Sequence, residues 1–188
     1  MQAKKHNQYH HRLNLPVEFV PQPLDMSDGY HKIYPVDRVN KNLLEFFNSL
    51  GCDIGHGEQF LLQPNGMADY HIIHIDNDDD LPLVKINYVY CDTPHVMNWY
   101  ELREGAKLKK AQSSANTNYF TCDPHDVEKV FSATVGQPSL VNVKKLHDVS
   151  TVSSPRTCYS LVVVENETLR RLTWEEAEFI FSDYILDY

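Results

Sequence analysis

The sequence predicts a mainly β domain with flanking helices, of the double-stranded β-helix type that is also called a jelly roll or cupin-like fold. From about residue 57 onward the apolar residues come in short runs rather than in long helical stripes. Turn-forming residues separate these runs, including Asn77-Asp78-Asp79-Asp80 and Ser153-Ser154-Pro155. The chain also contains 11 tyrosines, a residue type that favours strands. Many short strands with turns between them are typical of a sandwich or jelly roll and not of a βαβ sheet.

Seven predicted strands occupy the middle of the chain. They cover about residues 59–63, 70–76, 83–90, 96–102, 118–122, 139–143 and 156–165. With 188 residues, the chain fits one domain with its own core. We therefore expect an N-terminal arm and helix over 1–56, a jelly-roll core over 57–165 and a C-terminal helix over 166–188.

Three helices are predicted around these strands. The first covers about residues 39–50, where large apolar residues recur at helical spacing, and Gly51 is its C-terminal cap. A short second helix begins after Asp123 and ends before Gly136. The last helix covers 173–184, and its aromatic residues make it a candidate surface for packing on its own barrel or for a homo-oligomer.

Composition and charge limit the partners that the chain can have. The formal net charge is −9, which disfavours nucleic acid as a partner because binding to a phosphate backbone requires a basic face. No segment approaches the roughly 20 apolar residues that a membrane helix needs, and the N-terminal residues are too polar for a signal peptide. These observations predict a cytoplasmic protein without a membrane partner.

The segment 70–76 carries the most informative pattern of the sequence. Alternate side chains of a strand share a face, so His74 and Asp76 point the same way, whereas His71 has odd spacing to His74 and faces away. An imidazole and a carboxylate side by side supply two metal ligands, and a third ligand from a distant strand completes a facial triad. His147 is the best candidate for that third ligand, because it follows a predicted strand near the far end of the core. Taken alone, the His74–Asp76 pair has an alternative interpretation as a strand histidine hydrogen-bonded to a neighbouring carboxylate.

Arg156 is the second informative residue. It follows His147 by nine positions and opens the apolar run 157–164. A buried guanidinium at the start of such a strand requires an anion, and a dicarboxylate would be a bidentate partner for it. The alternative is that Arg156 belongs to the loop after Pro155 and faces solvent.

Together, His74-x-Asp76, His147 and Arg156 resemble the 2-oxoglutarate- and Fe(II)-dependent oxygenases, and the branch they look most like is the aspartyl/asparaginyl β-hydroxylase type. The resemblance extends over roughly residues 57–165. It includes Gln63-Pro64-Asn65-Gly66 before the first two ligands, and the runs 83–88 and 138–143.

The resemblance implies an activity and a role for each of these residues. The two histidines and the aspartate would hold Fe(II), and Arg156 would bind the distal carboxylate of 2-oxoglutarate. Lys85 would help to hold this cosubstrate, with Asn87 on the same face of the strand. The branch often has Arg and His at these two positions, so Lys85 and Asn87 depart from its pattern. The implied reaction uses O₂, releases succinate and CO₂, and hydroxylates an amino-acid-like, peptidyl or small-metabolite substrate. Trp99 and Asn142 are the candidate substrate contacts, although core packing is the other interpretation of Trp99.

Two other functions stay open on the sequence alone. One is a cupin-type metalloenzyme that does not use 2-oxoglutarate, and the other is a non-catalytic jelly-roll binding module in which the three ligands coincide by chance. Calcium binding is disfavoured, because the EF-hand-like start Asp76-x-Asp78-x-Asp80 continues with Leu81 where the loop requires glycine.

Overall fold

A computed structural model describes residues 7–27, 29–63, 72–77, 79–113, 116–136, 138–150 and 154–186. Within these residues the chain forms two six-stranded antiparallel sheets and two α-helices. The predicted mainly β composition with flanking helices is thereby confirmed.

Twelve strands make up the two sheets. In chain order they are β1 (His10–Arg12), β2 (His31–Tyr34), β3 (Cys52–Leu62), β4 (His74–Asp76), β5 (Val84–Cys91), β6 (His95–Leu102), β7 (Lys109–Gln112), β8 (Asn118–Thr121), β9 (Val127–Val135), β10 (Ser139–Asn142), β11 (Leu146–Val149) and β12 (Arg156–Glu165). The first sheet has the order β1-β10-β5-β12-β3-β2, and the second has the order β7-β8-β4-β11-β6-β9. Every strand pairing in both sheets is antiparallel.

The first sheet is covered on both of its faces. One face packs on the helices α1 (Lys41–Ser49) and α2 (Trp174–Ile180), where Phe47 and Ala177 join a core with Leu161. The other face packs on the second sheet, where Val162 joins a core with Trp99. Because both faces are covered, β12 is buried along nearly its whole length and has a continuous apolar sequence.

Both observed α-helices were predicted. Helix α1 lies within the expected 39–50 segment, and Gly51 follows it in the left-handed region, with φ 76°. Thr173 caps the N-terminus of α2: its hydroxyl accepts from the Glu176 amide, and the Glu176 carboxylate accepts from the Thr173 amide. Helix α2 ends at Ile180, and a 3-10 turn over Ser182–Tyr184 continues the predicted segment.

The helix predicted between Asp123 and Gly136 is wrong. Asp123 does cap a turn, but this turn is a 3-10 helix over only Pro124–Asp126, and β9 follows it directly. The alternation expected of a strand is hidden in the sequence because the β9–β6 register shifts between Trp99 and Tyr100. Such an irregularity breaks the inside–outside pattern of a strand.

The N-terminal arm is part of the sheets instead of a separate polar segment. β1 pairs with β10, and β2 pairs with β3. His10 and His11 are buried in β1. β3 is also longer than predicted, because it begins at Cys52 directly after Gly51. The expected boundary between an arm over 1–56 and a core over 57–165 therefore does not follow the strand pairing.

Among the helices of the described residues, none has both the length and the apolar character needed to cross a membrane.

Candidate metal centre

The two predicted histidine ligands lie on neighbouring strands. β4 and β11 pair antiparallel, and their register places His147 directly opposite His74. Asp76 lies two residues after His74 on β4 and therefore points to the same side of the sheet. The pairing of two short strands thus brings together all three side chains that the sequence singled out.

The three side chains converge on one point. His74 Nε2 lies 3.2 Å and His147 Nε2 lies 3.8 Å from the same oxygen, Asp76 Oδ1. One ligand atom from each residue lies within 4.8 Å of the other two. Two atoms bound at right angles to one metal ion, each about 2.1 Å from it, are about 3.0 Å apart. A small movement of the side chains would therefore place all three atoms on one ion.

The main chain orients both imidazole rings. His74 Nδ1 lies 2.7 Å from the carbonyl oxygen of Ile72, and His147 Nδ1 lies 2.9 Å from that of Lys145. A carbonyl oxygen can only accept, so in each neutral ring the proton is on Nδ1 and the lone pair is on Nε2. Metal-binding histidines are oriented by such bonds from their second nitrogen. The two residues therefore fit a metal ion on the Nε2 side.

The electrostatic environment keeps two of the three groups in the protonation states of ligands. Burial opposes the charge of Asp76, but Lys85 and the hydrogen bond from His74 outweigh it and hold the pKa of Asp76 well below its usual value. Burial, together with the neighbouring His74, lowers the pKa of His147 to about 4. Asp76 is therefore charged and His147 neutral near pH 7, as metal ligation requires. For the third group, burial opposes the charge of His74, but the hydrogen bond to Asp76 outweighs it and raises the pKa of His74, so that a metal ion would displace the Nε2 proton shared with Asp76.

Lys85 connects Asp76 to a second buried carboxylate. Its ammonium donates to Asp76 Oδ2 at 2.7 Å and also to Glu58. The side chains of Lys85 and Glu58 are only 5% and 8% exposed. Burial opposes both charges, but the attraction of Lys85 lowers the pKa of Glu58 to about 2, and the two carboxylates raise the pKa of Lys85. Lys85, predicted to hold a cosubstrate, therefore already has two anionic partners within the chain.

A cavity of about 310 Å³ lies beside the three ligands. Residues of both sheets line it, including Phe60 and Arg156 from the first sheet and Met97 from the second, so it lies between the sheets. Its volume is in the range of small-molecule sites.

Arg156 lines this cavity at the start of β12. Its side chain is buried, with 3% of the residue exposed, and its Nε has no hydrogen-bond partner. No carboxylate of the described part of the chain forms an ion pair with it, whereas Lys85 has two such partners. Arg156 does not face solvent from a loop, and the expectation of a buried guanidinium is confirmed. A buried cation without a counter-ion is costly, and an external anion in the cavity would offset this cost.

The structure places one of the other predicted site residues in the cavity wall and two outside it. Asn87 lines the cavity and accepts a hydrogen bond from Ser160 at 2.6 Å. Trp99 and Asn142 do not line it. The Trp99 indole is fully buried and donates to the main-chain oxygen of Asn142 at 3.2 Å, and the Asn142 amide donates to the main chain of Gln8. The position of Trp99 corresponds to its core-packing interpretation, and the side chain of Asn142 has a main-chain partner outside the cavity.

Three residues of the site were missed by sequence reasoning. Glu58 is the acidic partner of Lys85. His31 stacks on Phe60 with parallel rings 4.5 Å apart, and its Nε2 is 3.4 Å from Glu58. Tyr119 lies opposite Asp76 and packs edge-on against a ligand ring. The one available signal was Glu58 itself, an acidic residue directly before the predicted strand 59–63.

Some predictions fall outside the described residues. These are the orientation of His71, the first two residues of the predicted strand 70–76, and Pro64-Asn65-Gly66 in the segment before the ligands.

No protein-family model matches this sequence, and a search of curated proteins finds no significant match. The fold and the site define a mainly β protein of two antiparallel sheets with a candidate His–Asp–His metal centre between them.

Proposed function

We propose that this chain is a 2-oxoglutarate- and Fe(II)-dependent dioxygenase with a jelly-roll core. It hydroxylates an amino-acid-like, peptidyl or small-metabolite substrate and releases succinate and CO₂. The observation that carries the proposal is the buried guanidinium of Arg156, which lines the same cavity as the three ligands and has no carboxylate partner among the described residues.

The order of the strands supports a jelly-roll core. Along the chain, β3, β5, β10 and β12 belong to the first sheet, and β4, β6, β9 and β11 belong to the second. Successive strands of this set thus alternate between the sheets, except at the β6–β9 pair. Eight antiparallel strands shared between two facing sheets are the arrangement of a jelly roll.

The donor set supports a divalent metal with open positions. Two imidazoles and one carboxylate that approach from one side are typical of the Fe(II) oxygenases. Zinc and other divalent ions also accept these ligands. The choice of an Fe(II) oxygenase over a site for zinc or another divalent ion therefore depends on Arg156, because a second anion-binding group in the same cavity favours a dicarboxylate cosubstrate.

Different residues of the chain would bind the metal, bind the cosubstrate and exclude water. Bound Fe(II) would supply the activation of O₂, coupled to the decarboxylation of 2-oxoglutarate. His74, Asp76 and His147 would hold one face of the ion, so that the remaining positions are directed into the cavity. Arg156 would bind the distal carboxylate through two parallel hydrogen bonds and thereby orient the cosubstrate. Apolar walls that include Phe60 would exclude water from the reacting groups.

An anaerobic titration tests the proposal. We expect the Fe(II)-loaded chain to develop a weak visible charge-transfer absorption on addition of 2-oxoglutarate, and His74→Ala to lose both the metal and the absorption. A screen of amino acids, peptides and small metabolites for succinate release then identifies the substrate class. Metal binding without any effect of 2-oxoglutarate would contradict the proposal and favour a metalloenzyme that does not use this cosubstrate.

A further inference from the structure

A cluster of three charges, two of them buried, crosses from one sheet to the other beside the metal centre. Asp76 belongs to β4 of the second sheet, whereas Lys85 and Glu58 belong to β5 and β3 of the first. The Lys85 ammonium contacts both carboxylates. It approaches Asp76 at Oδ2, whereas both histidine Nε2 atoms are closest to Oδ1.

We propose that Lys85 is a positioning residue that restricts Asp76 to binding the metal through a single oxygen. This inference rests on the metal site of the proposed function and is independent of the cosubstrate. A carboxylate can bind a divalent ion through one oxygen or through both. With Oδ2 held by Lys85, Oδ1 alone faces the histidines, and about three of six metal positions stay open.

Glu58 gives Lys85 its position. β12 separates β5 from β3, and its register places Glu58 opposite Ser160 and Lys85 opposite Val162, so Lys85 and Glu58 meet diagonally across this strand. The contact with Glu58 holds the ammonium beside Asp76. The cluster thus fixes one ligand of the second sheet against two strands of the first.

The charges of the cluster are compatible with a bound cation. A lysine alone beside the metal would repel it, but Glu58 offsets this repulsion, and the two carboxylates leave the cluster with one net negative charge. Both carboxylates accept from Lys85, so two of the three donors of its ammonium are already engaged within the cluster. This assignment replaces the cosubstrate role expected for Lys85 from the resemblance.

The test counts the water molecules on bound Mn(II), from the broadening of its electron paramagnetic resonance lines in ¹⁷O-enriched water. We expect about three coordinated waters in the unmodified chain and about two in Lys85→Met, because the released Asp76 then binds through both oxygens. We expect about three coordinated waters in Lys85→Arg, because arginine keeps the positive charge and the hydrogen-bond donors. Glu58→Gln removes a charge from the same cluster but keeps an acceptor for Lys85, so it also retains about three.

A double variant keeps the test decisive if Lys85→Met does not fold. Glu58→Leu with Lys85→Met replaces the buried ion pair by apolar side chains of similar size, a change that proteins often tolerate. It also frees Asp76 Oδ2, so we expect about two waters. About three waters in both variants, or an equal loss in Glu58→Gln, would overturn the positioning role. An unmodified chain that binds no Mn(II) would instead overturn the metal site itself.

Discussion

Arg156→Met is the most informative change for the proposed function. The substitution removes a guanidinium that lines the cavity and has no carboxylate partner among the described residues. Methionine fills a similar volume with an apolar side chain. We expect binding of 2-oxoglutarate to weaken strongly, because its distal carboxylate would lose both hydrogen bonds from the guanidinium.

The expected loss follows from the burial of Arg156. A hydrogen bond to a charged group contributes about 1.5–3 kcal/mol, and part of the gain from two such bonds is offset by desolvation of the carboxylate. We therefore expect a loss of about 3 kcal/mol, which corresponds to an about 100-fold higher Kd for 2-oxoglutarate. The free energy of unfolding of the unliganded chain should stay within about 0.5 kcal/mol or rise, because the variant no longer buries a cation that lacks a counter-ion among the described residues.

Anaerobic calorimetry on the Mn(II)-loaded chain measures this effect. Pyruvate serves as the matched ligand, because it keeps the keto-acid group and lacks the distal carboxylate. The unmodified chain should prefer 2-oxoglutarate to pyruvate by about 100-fold, and Arg156→Met should show little preference. Arg171→Met is the control variant, since Arg171 pairs with Asp79 outside the cavity. Our reasoning is refuted if Arg156→Met binds 2-oxoglutarate within about threefold of the unmodified chain, or if it loses Mn(II) to the same extent.

Two further predictions concern stability. Burial and the neighbouring basic groups lower the pKa of His10 from 6.5 to about 4, so the folded chain resists a proton that the unfolded chain accepts. Titration of His10 therefore leaves the free energy of unfolding unchanged above pH 6.5 and lowers it by up to about 3 kcal/mol as the pH falls toward 4. Urea unfolding at several pH values should show a smaller fall in His10→Gln, and an identical fall would contradict the assignment. A Cβ on Gly57 would lie 3.0 Å from the Tyr34 carbonyl oxygen and 3.1 Å from the Leu161 side chain. We therefore expect Gly57→Ala to lower the free energy of unfolding by about 1–3 kcal/mol, whereas Gly29→Ala, with no atom within 4 Å of the new Cβ, should be close to neutral in the same assay.

The local features of the site could be predicted because they depend on neighbouring residues. His74 and Asp76 share a face through the two-residue period of a strand, and this needs no knowledge of the fold. The apolar run after Arg156 indicates a strand that is covered on both faces. The same kind of reasoning placed α1 and α2, whose caps are encoded within a few residues of each end.

The remaining features depend on contacts between distant segments. Glu58 in a strand is compatible with either solvent or a buried partner, and only the approach of Lys85 across β12 decides between them. The second helix was predicted in error because the register shift opposite β9 breaks the alternation that identifies a strand. The N-terminal histidines are buried because β1 pairs with β10, about 130 residues further along the chain, which no local pattern indicates.

The charges around the cavity connect the metal and the cosubstrate. Among its described lining residues, Lys85 and Arg156 are cationic and Glu58 and Asp76 are anionic, so their formal charges cancel when the histidines are neutral. A divalent ion at the triad would leave an excess of two positive charges around a space of about 310 Å³. A dicarboxylate restores neutrality, and because Lys85 is already engaged by two carboxylates, Arg156 is the cation left for its distal end. The Fe(II) site and the 2-oxoglutarate site therefore support each other as a single proposal, since each would bind the charge that the other introduces.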